Sequence, residues 1–156
     1  MKYPLTVACD FDGTIAEYAF PGCGPPRTEV IQALRMLRAE GWKIIIHSSR
    51  VNSDWPEPGR TQKCEAMIQY LVTLGVPFDE IWGIAFEWLP AEEGRRNYHW
   101  WFEPNLTGKP VAHVYLDDRA AVPGPVSSQA PSFQASTLVH LCRRIAEQAN
   151  AEHKEE

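Results

Sequence analysis

The sequence of 156 residues lacks three features that would mark a special class of protein. No apolar run approaches the roughly 20 residues that a membrane-spanning helix requires, so we expect no membrane segment. The net charge is −5 and the sequence has no block of lysine and arginine, which argues against bulk attraction to nucleic acid. No signal peptide precedes the first apolar run, and we therefore expect a cytoplasmic protein.

Cysteine is scarce and scattered along the chain. The four cysteines are Cys9, Cys23, Cys64 and Cys142. None belongs to a C-x-x-C pair, the spacing that is typical of zinc and redox sites. We therefore expect free thiols in a reducing compartment.

Apolar runs alternate with segments of helical periodicity. Hydrophobic residues make up 44% of the chain and charged residues 22%, a balance that suits one globular domain. We predict strands at 5–9, 42–50, 78–84 and 111–116, and helices at 28–41, 61–75 and 136–149. Thr28 is the predicted N-cap of the first helix, and a loop is predicted at 127–132. This alternation predicts an α/β fold, a Rossmann-like open parallel sheet with helices on both faces. The domain is expected to span 1–150, followed by a solvated tail at 151–156.

One aromatic-rich segment, residues 85–108, does not fit the alternation, and we expect it to form an inserted flap. Too few residues lie between Gly13 and Ser48 for a cap domain beside the single helix predicted there. We therefore expect a site without a large cap, closed by flaps or by a second subunit.

Polar residues follow three of the predicted strands. They are Asp10 and Asp12 after the first strand, Ser48 and Ser49 at the end of the second, Asp117 and Asp118 after the fourth, and Lys109 just before the fourth. In an open parallel sheet, ligands bind beyond the carboxyl ends of the strands, so these side chains are expected to converge. Carboxylates from two strands suit Mg²⁺, which would offset their mutual repulsion. A remaining carboxylate suits covalent phosphoryl transfer, with a lysine and a hydroxyl stabilising the transferred group.

The segments "CDFDGTI", "IIIHSSR" and "VYLDDRA", together with Lys109, resemble the four motifs of the haloacid dehalogenase (HAD) superfamily, in the family's order. The resemblance spans about residues 5 to 119. It implies a Rossmann-like sheet, dependence on Mg²⁺ and an aspartyl-phosphate intermediate.

The resemblance also implies roles for individual residues. Asp10 matches the nucleophile, and Asp12 matches the general acid and base, whose backbone carbonyl is also a metal ligand. Ser48 matches the hydroxyl that binds the phosphoryl group, and Lys109 matches the lysine that screens charge. The metal ligands would be Asp10, Asp12 and Asp117, with Asp118 either a further ligand or an outer-shell partner.

The two residues that follow Ser48 are candidates for substrate binding. Ser49 competes with Ser48 for the phosphoryl hydroxyl, and Ser48 is preferred. Arg50 either forks onto an anionic substrate or merely caps and solvates the loop, and the sequence favours neither.

An acid at position 12 suits hydrolysis of a phosphomonoester, which is the preferred function. The substrate is expected to be a phosphorylated small molecule or nucleotide, although a macromolecule or an oligomeric enzyme is compatible with the sequence. The alternatives are a phosphotransferase or mutase with the same intermediate, and a phospho-accepting signalling module.

Overall fold

The computed structural model describes residues 4–104, 106, 108–117 and 135–154. Its strands are β1 (Thr6–Cys9), β2 (Lys43–Ile46), β3 (Glu80–Ile81), β4 (Ile84–Glu92), β5 (Arg95–Phe102) and β6 (Val114–Leu116). Its helices are α1 (Thr28–Ala39), α2 (Gly59–Leu74) and α3 (Ala135–Lys154), and a 3₁₀ turn at Ser49–Val51 follows β2. The predicted loop at 127–132 lies outside the described residues.

The strands form one six-stranded sheet in the order β5-β4-β3-β2-β1-β6. Strands β6, β1, β2 and β3 are parallel to one another, whereas β4 and β5 are antiparallel to their neighbours. The prediction of a Rossmann-like α/β sheet flanked by helices is confirmed, with an antiparallel extension at one edge. In the part of the chain that the structure describes, no helix has the length and apolarity needed to cross a membrane.

After their first residues, Thr6 and Lys43, the two central strands are apolar, because they are buried on both faces of the sheet. Val7 of β1 pairs with Ile44 of β2 on one face, and Ala8 pairs with Ile45 on the other, and all four are buried. Continuous apolar strands of this kind belong to sheets that are covered by helices. Residues at helical spacing complete the core, among them Val30, Leu34 and Leu37 from α1 and Cys64, Ile68 and Leu71 from α2.

The helix ends follow the sequence with two exceptions. Gly75 ends α2 in the left-handed conformation (φ 64°), as a C-cap glycine does. Thr28, expected as the N-cap of α1, is instead its first helical residue, and Arg27 takes the cap position. Helix α3 continues to Lys154, so residues 151–154 belong to the helix rather than to a tail.

The segment expected as a flap instead forms a β-hairpin that continues the sheet. Strands β4 and β5 are joined at a two-residue turn, Glu93–Gly94, where both residues have positive φ. The carboxylate of Glu65 in α2 accepts hydrogen bonds from the Tyr98 hydroxyl (3.0 Å) and from the Trp100 indole. These contacts hold one face of the hairpin against α2.

Gly83 makes the turn between β3 and β4, and its substitution tests how tightly that turn packs. Its φ is +86°, and an added Cβ would lie 2.7 Å from Cγ1 of Val51. We expect Gly83→Ala to lower the free energy of unfolding by about 2–4 kcal/mol, through left-handed strain and the clash together. Urea unfolding measures this change.

Gly94→Ala is the matched control, since Gly94 also has a positive φ (+74°) but open space around its Cα. It should lose only the strain, about 1 kcal/mol. Equal losses for the two variants would show that the Val51 side chain yields to the new methyl group.

Candidate active site

Hydrogen bonds between the strand ends bring three of the predicted site segments together. The backbone N–H of Asp10 donates to the Leu116 carbonyl at 2.8 Å, and that of His47 donates to the Cys9 carbonyl at 2.8 Å. The residues that follow β1, β2 and β6 therefore start from adjacent points at the carboxyl edge of the sheet. This edge is where an open parallel sheet binds ligands.

Asp10 is half-buried at the end of β1, and its Oδ1 accepts the backbone N–H of Phe11 at 2.9 Å. Its neighbour Cys9 is fully buried. Burial, and secondarily the charge of Asp10, raise the pKa of the Cys9 thiol far above its ordinary value. Cys9 is thus a protonated core residue at neutral pH, and a thiol in that form is a poor nucleophile.

Asp12 forms a two-pronged ion pair with Arg50. Arg50 Nε donates to Asp12 Oδ2 and Nη2 donates to Oδ1, both at 2.8 Å. The Arg50 side chain is fully buried, and that of Asp12 is 11% exposed. Burial alone would lower the pKa of Arg50, but the hydrogen bonds and charge of Asp12 outweigh it and raise that pKa.

Arg50 uses its remaining donors on backbone carbonyls. Nη1 donates to the carbonyls of Pro21 (3.1 Å) and Lys63 (3.0 Å), and Nη2 donates to that of Gly22 (2.6 Å). All five guanidinium N–H groups are therefore engaged. The sequence left open whether Arg50 binds an anionic substrate through two hydrogen bonds. In the structure it makes that two-pronged contact with Asp12, and no donor is left for a substrate in this conformation.

The two adjacent serines have different surroundings. Ser48 is buried, and its Oγ accepts the backbone N–H of Arg50 at 3.1 Å, which caps the 3₁₀ turn. The Ser48 hydroxyl proton is left for another acceptor. Ser49 is exposed, and its carbonyl accepts the Trp55 indole N–H at 2.9 Å.

Lys109 lies in the segment between β5 and β6, which passes along the carboxyl edge of the sheet. The Trp82 indole N–H donates to the Gly108 carbonyl at 2.9 Å and ties this crossing to the end of β3. Lys109 itself is exposed. Burial lowers the pKa of His47, and the charge of Lys109 lowers it further. The Lys109 ammonium group lies 5.8 Å from the centre of the Tyr115 ring.

The predicted metal ligands are only partly assembled. Asp117 is half-buried directly after β6, beside the end of β1, whereas Asp118 lies outside the described residues. The Asp12 carboxylate is paired with Arg50. Among the residues that the structure describes, no three His, Cys, Asp or Glu side chains form a group that could hold a metal ion.

Sequence reasoning missed two residues that shape this edge. Trp82, which fixes the crossing before Lys109, carries no local signal because its partner is 26 residues away. From its place within the predicted second strand we expect His47 to be a core histidine, whereas the structure has it half-buried just beyond β2.

Comparison with known proteins bears on the fold. No protein-family model matches the chain, and no curated protein matches it. A solved structure of a conserved protein from Bacteroides thetaiotaomicron is similar, with 20% identity and a TM-score of 0.56, over 91% of this chain and 92% of that one. A structural-genomics target from Vibrio cholerae matches with 22% identity and a TM-score of 0.48, over 93% and 98% of the two chains. The first likeness supports the α/β fold.

The Arg50–Asp12 pair is open to a double-mutant cycle. Removing one member of a buried ion pair leaves an uncompensated charge, which typically costs about 3–5 kcal/mol. We expect Arg50→Met and Asp12→Asn each to lower the free energy of unfolding strongly, and the double variant to lose much less than the sum. Urea unfolding of the four proteins gives the coupling energy, and additive losses would contradict a direct pair.

His47 gives the stability of the protein a specific pH dependence. Its pKa is lowered in the folded state, so the unfolded chain binds its proton at a higher pH than the folded one. The free energy of unfolding therefore rises with pH through this window, and the contribution of His47 is lost as pH falls below about 6.5. We expect His47→Gln to lose less stability than wild type between about pH 7 and pH 5.

Lys109→Met is the control for that measurement, because it keeps the histidine and removes the nearby charge. In an NMR titration it should raise the pKa of His47. An unchanged His47 titration would place Lys109 away from the carboxyl edge.

Proposed function

We propose that this protein is an HAD-type phosphatase, a Mg²⁺-dependent phosphomonoester hydrolase that works through an aspartyl phosphate on Asp10. The observation that carries the proposal is the meeting of Asp10, Ser48, Asp117 and the Lys109 loop at one edge of the sheet. The order of the motif residues along the chain supports it. A carboxylate nucleophile, a buried hydroxyl and a lysine are the groups that phosphoryl transfer from an ester requires.

In the first chemical step the Asp10 carboxylate attacks phosphorus, and the bond from phosphorus to the ester oxygen breaks. The departing oxygen takes a proton from Asp12. Water then attacks the phosphorus of the aspartyl phosphate while Asp12 accepts its proton, which releases inorganic phosphate and restores Asp10. The Ser48 hydroxyl and the Lys109 ammonium group stabilise the charge on the transferred phosphoryl oxygens.

The ion pair with Arg50 affects the two roles of Asp12 differently. Both Asp12 oxygens accept hydrogen bonds from the guanidinium, a pairing that matches the ionised carboxylate from which the second step starts. Donating a proton in the first step requires Asp12 to give up part of that contact. We therefore expect esters with good leaving groups, which need little protonation, to be hydrolysed fastest.

The donor set fits Mg²⁺ in kind, since carboxylate and carbonyl oxygens are its preferred protein ligands. Asp10, Asp117 and the Asp12 carbonyl would hold the ion in this proposal. When bound, it offsets the repulsion between the carboxylates and polarises the phosphoryl group.

The decisive experiment measures phosphate release from a panel of nucleotides, sugar phosphates and aryl phosphates, with Mg²⁺ and with a chelator. We expect release that requires the metal and that Asp10→Asn abolishes, because the variant keeps the shape of the side chain but not the nucleophile. Asp54→Asn is the matched control at an exposed aspartate and should keep the wild-type rate.

Two other outcomes of this experiment would argue against the proposed function. Retained release in Asp10→Asn would contradict the covalent mechanism. If Asp10 becomes phosphorylated and neither water nor any compound of the panel removes the phosphoryl group, the result would instead favour a phospho-accepting module.

A further inference from the structure

Strand β5 ends the sheet at one edge and is long for an edge strand. It has eight residues, roughly 26 Å of extended chain, and pairs with β4 on one side only. Within the described residues no strand pairs with its other side. An edge of this length offers a row of backbone N–H and C=O groups to another strand.

The backbone hydrogen bonds show which residues of β5 face outward. Glu103 donates its N–H to the Gly83 carbonyl (3.0 Å), so the odd-numbered residues of this strand bond toward β4. Antiparallel pairs alternate, and the N–H and C=O groups of Tyr98 and Trp100 therefore point to the free edge. The Tyr98 N–H confirms this, since it donates to Oδ1 of its own neighbour Asn97 (3.0 Å) rather than to β4.

The edge has few of the features that usually prevent strand pairing, and its two charged side chains, Arg95 and Arg96, both lie at its start. No proline or lysine lies within Arg95–Phe102, and the irregularity of the hairpin falls on β4, between Leu89 and Glu92. Glu65 and the Arg60 guanidinium, 3.7 Å from the centre of the Phe102 ring, hold the hairpin on α2. On the opposite face Trp101 is 47% exposed. The strand is thus held in place with an aromatic side chain in solvent.

We propose that β5 pairs with β5 of a second copy of this chain in an antiparallel manner, which joins two sheets into one. The order of charged and aromatic side chains along the strand favours antiparallel pairing with an identical strand. Arg95 and Arg96 lie at its start, and Trp100 and Trp101 lie near its end. Antiparallel pairing sets the arginines of each copy against the tryptophans of the other, whereas parallel pairing would place arginine beside arginine.

A two-fold axis at Tyr98 satisfies both the hydrogen bonds and the side chains. The outward N–H and C=O groups of Tyr98 then bond to those of Tyr98 in the second copy, replacing the local bond to Asn97. Arg95 comes opposite Trp101 of the second copy, on the exposed face, where a cation–π contact forms. The hairpin already uses this chemistry, because Arg96 lies 4.7 Å from the centre of the Trp88 ring.

Light scattering after size-exclusion chromatography tests the assembly, with the full chain at several concentrations. We expect a mass of twice the 17.7 kDa of one chain. Trp101→Lys sets lysine against Arg95 twice per dimer and should raise the dissociation constant on the order of tenfold. Leu89→Lys is the matched control on the same face of the hairpin but on the inner strand β4, and it should leave the dimer intact.

Amide hydrogen exchange of the wild-type protein is a second test that needs no variant. Edge pairing should slow exchange at Tyr98 and Trp100 to the level of His99, whose amide bonds within the hairpin. A monomeric mass at every concentration, fast exchange at Tyr98 and Trp100, or a dimer broken by Leu89→Lys and not by Trp101→Lys would each overturn the proposal. None of these results depends on catalysis, so the proposal stands or falls separately from the phosphatase function.

Discussion

The buried ion pair between Arg50 and Asp12 is the contact on which the shape of the candidate site depends. A guanidinium without water contact is tolerable only when every donor has an acceptor, and here two carboxylate oxygens and three carbonyls provide them. Those carbonyls belong to the loop after β1 and to α2. One side chain on the 3₁₀ turn thereby fixes Asp12, that loop and the start of α2 relative to one another.

The order of the strands explains how the loop that carries Lys109 comes to the same edge of the sheet as Asp10. Strand β6 lies on the far side of β1 from β5, so the chain between them has to pass over part of the sheet. Trp82 holds this crossing at the carboxyl edge through the Gly108 carbonyl, and Lys109 is the next residue. A lysine that is remote from Asp10 in sequence is brought to the same edge by topology, without a local motif of its own.

The sequence allowed the sheet, the three helices and the convergence of the strand ends to be predicted, because continuous apolar runs and helical spacing report burial directly. It did not reveal the hairpin, since β4 and β5 bury only one face and their charged residues resemble those of a solvated flap. The ion pair between Arg50 and Asp12 could not be predicted from the sequence either. The two residues are 38 positions apart, and an arginine after a strand suits a substrate, a cap or an ion pair equally well.

Three consecutive residues of α2 connect the candidate site to the edge of the sheet. The Lys63 carbonyl accepts from Arg50, the Cys64 thiol donates to the Arg50 carbonyl at 3.3 Å, and the Glu65 carboxylate holds Tyr98 and Trp100. A helix moves as a rigid body over so short a stretch, since its backbone hydrogen bonds link each residue to the next turn. Any displacement of β5 that reaches Glu65 therefore reaches the carbonyl that helps to orient Arg50. If two copies pair through β5, the contact that holds Asp12 in place is connected to the paired strand through these three residues.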